Sequence, residues 1–516
     1  MTAEPIYIDD TGMAHAEEKI TRLLGSAVAD GLGRDHPRSA VEMLAAEKAR
    51  STTGGRVADL LTARDIIRAH RDPDFVRETK KTGRERLRRQ APGARRVKCV
   101  GRRMVAVRLS NGLVLNLPTP YVRPSRKGQR GRPRGTGKRR EAGAGAYPVL
   151  DALGVTNHVT PLTRSDIARQ AVVSSSYAEA RDQLARGGLE VNDKTLIDIS
   201  VRTGQEAIDR RDEALARACR EPLPGGSPLA GKRIRVSVDG GRARTRQTHA
   251  DSPKGKNGRR PFDLAWREPR IITLDVFDDD GVIDHGWRPI YETTLGAADA
   301  VFALLCGLLR ILGAHLAREI VFVADGATWI WERVDQLIRD AELPVDRVHK
   351  VLDYYHATEH IADALRACKS LDNTHREALH DELKGLLLKP GGAAAVLERL
   401  RPMARGRRGR RVNKELRYLE GHLEHMNYAA LRDRKLPIGS GIVESAVRRV
   451  LNLRFKSAST CWRTDHLEPL LYLRAIAKSG RWDDFMRAWL NADHLALLLA
   501  FFGTFLAARF FPRLRG

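Results

Sequence analysis

From residue 232 onward, apolar and polar positions fall into short blocks with two different periods. Ile234, Val236 and Val238 alternate with Arg235 and Ser237, a period of two that predicts a strand ending at Asp239. Ile271 to Phe277 predicts a second strand, and Val282 to Tyr291 a third. A helical stretch from Ala297 to Leu312 follows, then a continuous apolar run, Ile320 to Ala324, that ends at Asp325. Trp329 to Ala341 predicts another helix, and Val348 to Leu352 another strand, which ends at Asp353. Strand patterning then stops, and the next stretch is helical and charged, broken at Gly391-Gly392 and at the basic run Arg405 to Arg411.

The order strand-strand-strand-helix-strand-helix-strand is that of an α/β, RNase H-like core, in which three hairpin-linked strands are followed by crossover units that add parallel strands. This part of the chain divides into a first core part (232–356), a helical insertion (357–430), a second core part (431–485) and an apolar C-terminal tail (486–516). Upstream, residues 1–95 carry helical stretches such as Ala40 to Arg50 and Val57 to His70, with no legible role. Residues 96–122 predict a small β hairpin module around the turn signal Asn111-Gly112. Residues 123–145 form a Gly/Pro/Arg-rich basic linker that cannot bury apolar surface. Within it, Arg130, Arg132 and Arg134 surround Gly131 and Pro133 as in the core of an AT-hook, which lays arginines into a narrow minor groove; a plain basic linker is the other reading, and both touch DNA phosphates. Residues 146–220 predict helices at Ser165 to Val172, Ser176 to Ala185 and Asp193 to Ala207, either a DNA-reading helix-turn-helix or helical hairpins without DNA contact. Glu221 to Gly231 reads as a linker.

Composition sharpens the choice of partner. Lys and Arg number 90 against 64 acidic residues, a net charge of +26, with a pI near 10.3. Such a balance favours a polyanion, nucleic acid first and an anionic membrane surface second. No secretory signal opens the chain, which points to a cytoplasmic, nucleoid-associated protein. The apolar run from Leu495 to Ala508 is shorter than the roughly 20 residues that span a bilayer, so no membrane partner is expected. Cys99, Cys219, Cys306, Cys368 and Cys461 lie far apart with no C-x-x-C pair, and read as reduced packing residues.

Asp239 and Asp325 each end an apolar strand and are followed by small residues, Gly240-Gly241 and Gly326-Ala327. Strand ends are where ligands collect in open α/β sheets, and glycine permits close approach of a phosphate backbone. A third acid comes from Gly439 to Ala446, where Ser440 is placed to cap a helix that presents Glu444. Carboxylates suit Mg²⁺, a hard ion that prefers oxygen ligands. Two such ions, about 3.5–4 Å apart, activate the attacking oxygen and stabilise the departing one in a displacement at phosphorus. Asp239, Asp325 and Glu444 are therefore the expected catalytic and metal-binding residues, for two Mg²⁺ ions with Mn²⁺ as a substitute.

Four stretches together resemble the DDE transposases of bacterial insertion sequences related to the Mutator group, of the Kra type. They are Val236 to Gly241, Val323 to Trp331, Asp353 to His356, and Gly439 to Ala446 continuing into Asn452 to Lys456. The resemblance covers roughly Val236 to Trp482. It implies an RNase H-like core with a helical insertion before the final Glu, and Mg²⁺-dependent cleavage and strand transfer. It also implies recognition of terminal inverted repeats in double-stranded DNA, capture of target DNA, and a homodimer or higher multimer on paired ends. Asp353 and His356 match the family's D-x-x-H element, and either orient an active-site residue or form a structural pair. Arg448, Arg449, Arg454 and Lys456 follow Glu444 and are candidates for phosphate contact, against a solvated basic face. Trp462 either stacks on an unpaired base or fills core. Only Cys99 lies where related transposases place zinc-binding cysteine pairs, so no zinc site is carried over. Two other readings compete: a catalytically silent, domesticated transposase acting as a DNA-binding regulator, and an RNase H-like structure-specific nuclease.

Overall fold

The computed structural model describes residues 6–8, 12–24, 35–51, 55–90, 96–125, 145–249, 252–255, 258, 260–368, 371–404, 409–457 and 460–491. Arg130, Arg132, Arg134 and the apolar run from Leu495 lie outside these residues. The chain is mixed α/β and separates into two compact units. One takes the described residues up to Thr203 together with those from Met486 onward, and the other takes Gly204–Phe485.

In the first unit, β1 (Ile6–Tyr7) runs parallel to β3 (Val114–Ser125), which forms a long antiparallel hairpin with β2 (Arg96–Arg108). Asn111-Gly112 makes the turn, with Gly112 at φ +90°, a value that favours glycine. Asp59 fastens that turn, because its carboxylate accepts from the backbone N–H of Asn111 at 3.1 Å and of Leu113 at 2.9 Å. The buried row Val105, Val107, Leu115 and Leu117 packs with apolar residues of the helices Gly55–Arg71 and Pro73–Gln90. Helix Ala40–Ser51 carries Glu47, which is fully buried and accepts from Leu162 N–H at 2.8 Å; burial pushes its carboxyl up to about 8. The three helices expected further on are Pro161–Val173, Tyr177–Arg186 and Asp193–Ala218. Ser176 caps the second by accepting from Glu179 N–H at 3.0 Å. The third is longer than its apolar pattern predicts, and the division between the units falls within it.

The second unit is built on a five-stranded sheet in the order β10-β9-β4-β7-β8, made from β4 (Arg233–Gly240), β7 (Arg270–Phe277), β8 (Ile290–Thr294), β9 (Glu319–Ala324) and β10 (Val348–Leu352). β4, β7 and β8 pair antiparallel, whereas β9 and β10 extend the sheet parallel to β4. Side-chain alternation separates two cores. Ile234, Val236, Val238, Ile320, Phe322 and Ala324 face the helices Ala298–Ile311 and Thr328–Asp340. Val321, Val323, Val351 and Leu352 face the helix Tyr354–Ala367 and the insertion helices Asn373–Leu387, Gly392–Leu400 and Arg410–Gly421.

Three sequence expectations change here. The third core strand is Ile290–Thr294 rather than Val282 to Tyr291, because Asp278 closes a turn by accepting from the N–H groups of Asp280 and Val282, each at 2.9 Å, and leaves Val282 exposed. A hairpin not expected from the pattern, β5 (Ala243–Thr248) with β6 (Phe262–Arg267), lies between β4 and β7 and pairs with the short β11 (Trp462–Arg463). Cys99 and Cys219 are exposed and so are not packing residues; all five thiols are free. Among the described residues no helix is long and apolar enough to cross a membrane.

Candidate functional site

Strands β4, β9 and β10 are in a register that pairs Val238 with Ala324 and Ala324 with Leu352. The next residue on each strand is an acid, so Asp239, Asp325 and Asp353 follow one another across the carboxyl ends, at strand spacings of about 4.8 Å. The row is held by the Asp353 N–H, which donates to the Ala324 carbonyl at 2.8 Å. Asp239 takes the opposite side of β4 from Val238, and so leaves the apolar core behind it.

Glu444 reaches this row from the helix Gly441–Ala446, which packs on β4 and β7. The loop before that helix is tied down at three consecutive residues. Tyr354 N–H donates to the Ile438 carbonyl at 2.9 Å. Arg235, in the middle of β4, donates to the Gly439 carbonyl at 2.8 Å while its guanidinium grips Asp275 at 2.9 and 3.1 Å. Asp353 accepts from Ser440 N–H at 3.0 Å and from the Ser440 hydroxyl. The Ser440 side chain is therefore not a helix cap, as its position predicts; it is spent on Asp353. Asp353 is fully buried, and its other oxygen accepts from Tyr355 N–H at 2.7 Å. Both its oxygens are thus engaged in holding backbone, which makes it an anchor between the strand end and the Glu444 loop. It does not pair with His356, whose nearest ionic partner is Glu359 at 3.3 Å.

Asp353, His356 and Glu444 each offer a ligand atom within 4.8 Å of the others. Asp239 and Asp325 are not part of this close group, though Asp239 feels the charges of Asp325, Glu444 and His356. Burial raises the Asp239 carboxyl above its usual range, the Gly240 N–H at 2.6 Å draws it down, and Asp325 and Glu444 push it up again while His356 opposes them. None of Asp239, Asp325 or Glu444 has an ion pair among the described residues. A cluster of oxygen donors left without cationic partners suits a hard divalent ion. Beside it opens a cleft of about 260 Å³ lined by Asp239, Gly240, Gly241, Arg242, Arg270 and Asp325, among others. A side chain at Gly240 would meet the Arg270 guanidinium at 2.6 Å, so glycine is what lets that arginine lie against the strand end.

The insertion also reaches the site. Tyr418, on the helix Arg410–Gly421, accepts from Gly326 N–H at 2.8 Å, the residue after Asp325. Its ring stacks on His360 at 3.5 Å between centroids, and His360 bonds Glu415 of the same insertion helix at 2.6 Å. Burial, then the nearby acids Asp325, Asp353 and Glu359, push the Tyr418 hydroxyl up to about 12, so it stays neutral. Trp331 closes the other side by donating from its indole N–H to the Asp325 carbonyl at 2.7 Å. Motif reading missed Tyr418, Arg235 and Asp275. For the last two a signal existed, since opposite charges interrupt two apolar strands and turn out to be direct cross-strand partners.

After Glu444 the helix widens into a π-helical turn, Val447–Asn452, a distortion often found beside functional sites. Arg448 and Lys456 are exposed. Arg449 is also exposed, but its guanidinium bonds the Tyr291 hydroxyl. Arg454 departs from both of its sequence readings, being buried with its guanidinium 5.1 Å over the Trp462 ring, while Trp462, 7% exposed against Phe455, takes the core reading. Neither presents a free surface for phosphate or base in this arrangement.

No family model and no curated protein matches the chain. Among solved structures, a chain described as "Drosophila P element transposase strand transfer complex" is similar at 11% identity and a TM-score of 0.23, over 67% of this chain and 86% of that one, a likeness too low to carry an argument about fold or activity.

Proposed function

We propose that this chain is a transposase of the DDE type, which binds the inverted-repeat ends of an insertion sequence, cuts them and joins them to target DNA. The observation that carries the reading is the register of β4 and β9, which sets Asp239 beside Asp325, together with the three ties that hold the Glu444 loop over them. Sheet order is compatible with an RNase H-like core that has residues 357–430 as its insertion, and in this reading residues 146–220 are a helix-turn-helix that binds DNA.

In this reading Asp239, Asp325 and Glu444 hold the metal, Asp353 positions Glu444, and His356 stands beside Glu444 as a further donor. When bound, a pair of Mg²⁺ ions supplies activation of the attacking oxygen and stabilisation of the leaving one. Water attacks the phosphorus at the element end, the P–O3′ bond breaks, and a 3′-hydroxyl and a 5′-phosphate result. That hydroxyl then attacks a target phosphodiester, displacing the target's own 3′-oxygen, so one bond forms for each broken. Arg242 and Arg270 line the cleft, and Arg448 and Lys456 are exposed on the segment after Glu444, positive charges suited to DNA phosphates.

The test is strand cleavage of DNA carrying the element's ends. Wild type should cut with Mg²⁺ or Mn²⁺, and Asp325→Asn should bind the same DNA without cutting it. Cleavage retained by Asp325→Asn would refute the metal assignment. A footprint lacking preference for inverted repeats would favour a structure-specific nuclease instead.

A further inference from the structure

The hairpin β5–β6 rises directly from the acidic cleft: β5 begins at Ala243, just after the cleft residues Gly240, Gly241 and Arg242, and β6 ends at Arg267, just before Glu268 and Arg270, which line it too. Every residue of β6 is exposed, and the hairpin is packed only at the base of β5. Ala243 and Thr245 are buried, and Thr245 lies opposite Trp462 of β11, so one face is packed against the unit at this end. On the other face Phe262, Leu264 and Trp266 follow one another at alternate positions of β6, exposed by 41%, 55% and 59%. Directly across the ladder stand Thr248, Arg246 and Arg244. Single exposed apolar residues need no explanation, but three large ones in a row on an edge strand do.

Two occupants would cover this face, a second copy of the chain or a nucleic acid. A second copy would bring Arg244 and Arg246 against their own counterparts, in a chain already at +26. Aromatic and apolar side chains interleaved with arginines instead match a single strand, whose bases stack and whose phosphates pair. Resting on the DNA-cutting reading, we infer that the outer face of β5–β6 binds unpaired DNA bases next to the scissile phosphate, with Trp266, nearest the cleft, as the main stacking residue and Arg246 as a phosphate contact. This role falls to Trp266 because Trp462, the tryptophan that sequence reading suggested, is buried on the hairpin's packed side.

The experiment measures binding of fluorescent oligonucleotides to the full chain without divalent cation, comparing a blunt duplex with the same duplex bearing a short unpaired tail. Trp266→Ala should weaken binding to the tailed duplex by about tenfold, leave the blunt duplex unchanged, and be rescued by Trp266→Phe. Arg246→Gln should weaken both and lower the salt dependence. Equal loss on both duplexes with Trp266→Ala, or no loss on either, overturns the proposal. So does sedimentation showing that wild type self-associates without DNA and that Trp266→Ala separates the copies. Because no metal is present, this result is independent of catalysis: a wild type that fails to cut with Mg²⁺ while keeping the tail effect would sink the transposase reading alone.

Discussion

At one sheet the chain treats carboxylates in two ways, some buried beside an arginine and others partly open at the strand ends. In the middle, Asp275 on β7 lies directly across from Arg235, and Glu292 on β8 meets Arg211 at 2.9 Å. Burial pushes the Asp275 carboxyl up and Arg235 draws it back. At the carboxyl ends Asp239 and Asp325 are half-buried and Glu444 is exposed, none with an ion pair among the described residues, and the charges of Asp325 and Glu444 add to burial in raising the Asp239 carboxyl. In the first arrangement each acid has an arginine of its own. The second has no arginine or lysine of its own, and on the proposed reading it is where a divalent cation would sit. Glu47, in the other unit, shows a third solution, since without a cation it holds a proton up to about pH 8.

Substitutions can break this contrast. The largest effect should come from Asp325→Asn: partners of metal ligands typically cost about 10–100-fold when lost, so removing a ligand should cut metal-dependent cleavage by more than about a hundredfold, read as initial rate. Its thermal midpoint without metal should not fall, because a like charge has been removed. Arg235→Met should destabilise by about 3–5 kcal/mol in urea unfolding, since it strands Asp275; adding Asp275→Leu should restore most of that. Cleavage should stay impaired in the double variant, because the Gly439 carbonyl has still lost its donor. Recovery of both would separate the ion pair from the site.

Glu47 sharpens the contrast through pH. Its folded carboxyl titrates at about 8 against an ordinary value of 4.5, so the folded state binds the extra proton between them. Stability from this group is present at acid pH and lost as pH rises through that window. Glu47→Gln should therefore flatten the decline in thermal midpoint across it; an unchanged slope would show that Glu47 is ionised when folded. The smallest effect should come from Tyr418→Phe, which leaves Gly326 N–H without its acceptor and should cost about 1–3 kcal/mol, with a modest fall in cleavage. Full activity and stability would make the insertion's contact with the Asp325 turn incidental.

The legible parts of the fold were those where one local period carries the information. β4, β9 and β10 were readable because apolar residues alternate or run unbroken up to an acid, and the helices between them because their apolar stripes are long. Hairpin β5–β6 was not read, although Phe262, Leu264 and Trp266 alternate, because its exposed apolar face imitates no core strand. Arg454 and Trp462 sit in a basic, polar stretch that suggests surface, yet they bury one another.

Sequence alone determined that acids end three strands, that a fourth follows a glycine-rich turn, and that the chain's charge calls for a polyanion. Only the tertiary structure decided which acids stand side by side, that Asp353 is consumed by Ser440, and that Tyr418 and Arg235 brace the site. The reason is physical: where a strand ends is a local property of backbone and hydration, whereas a carboxylate's partner depends on register and on what residues hundreds of positions away are packed against it.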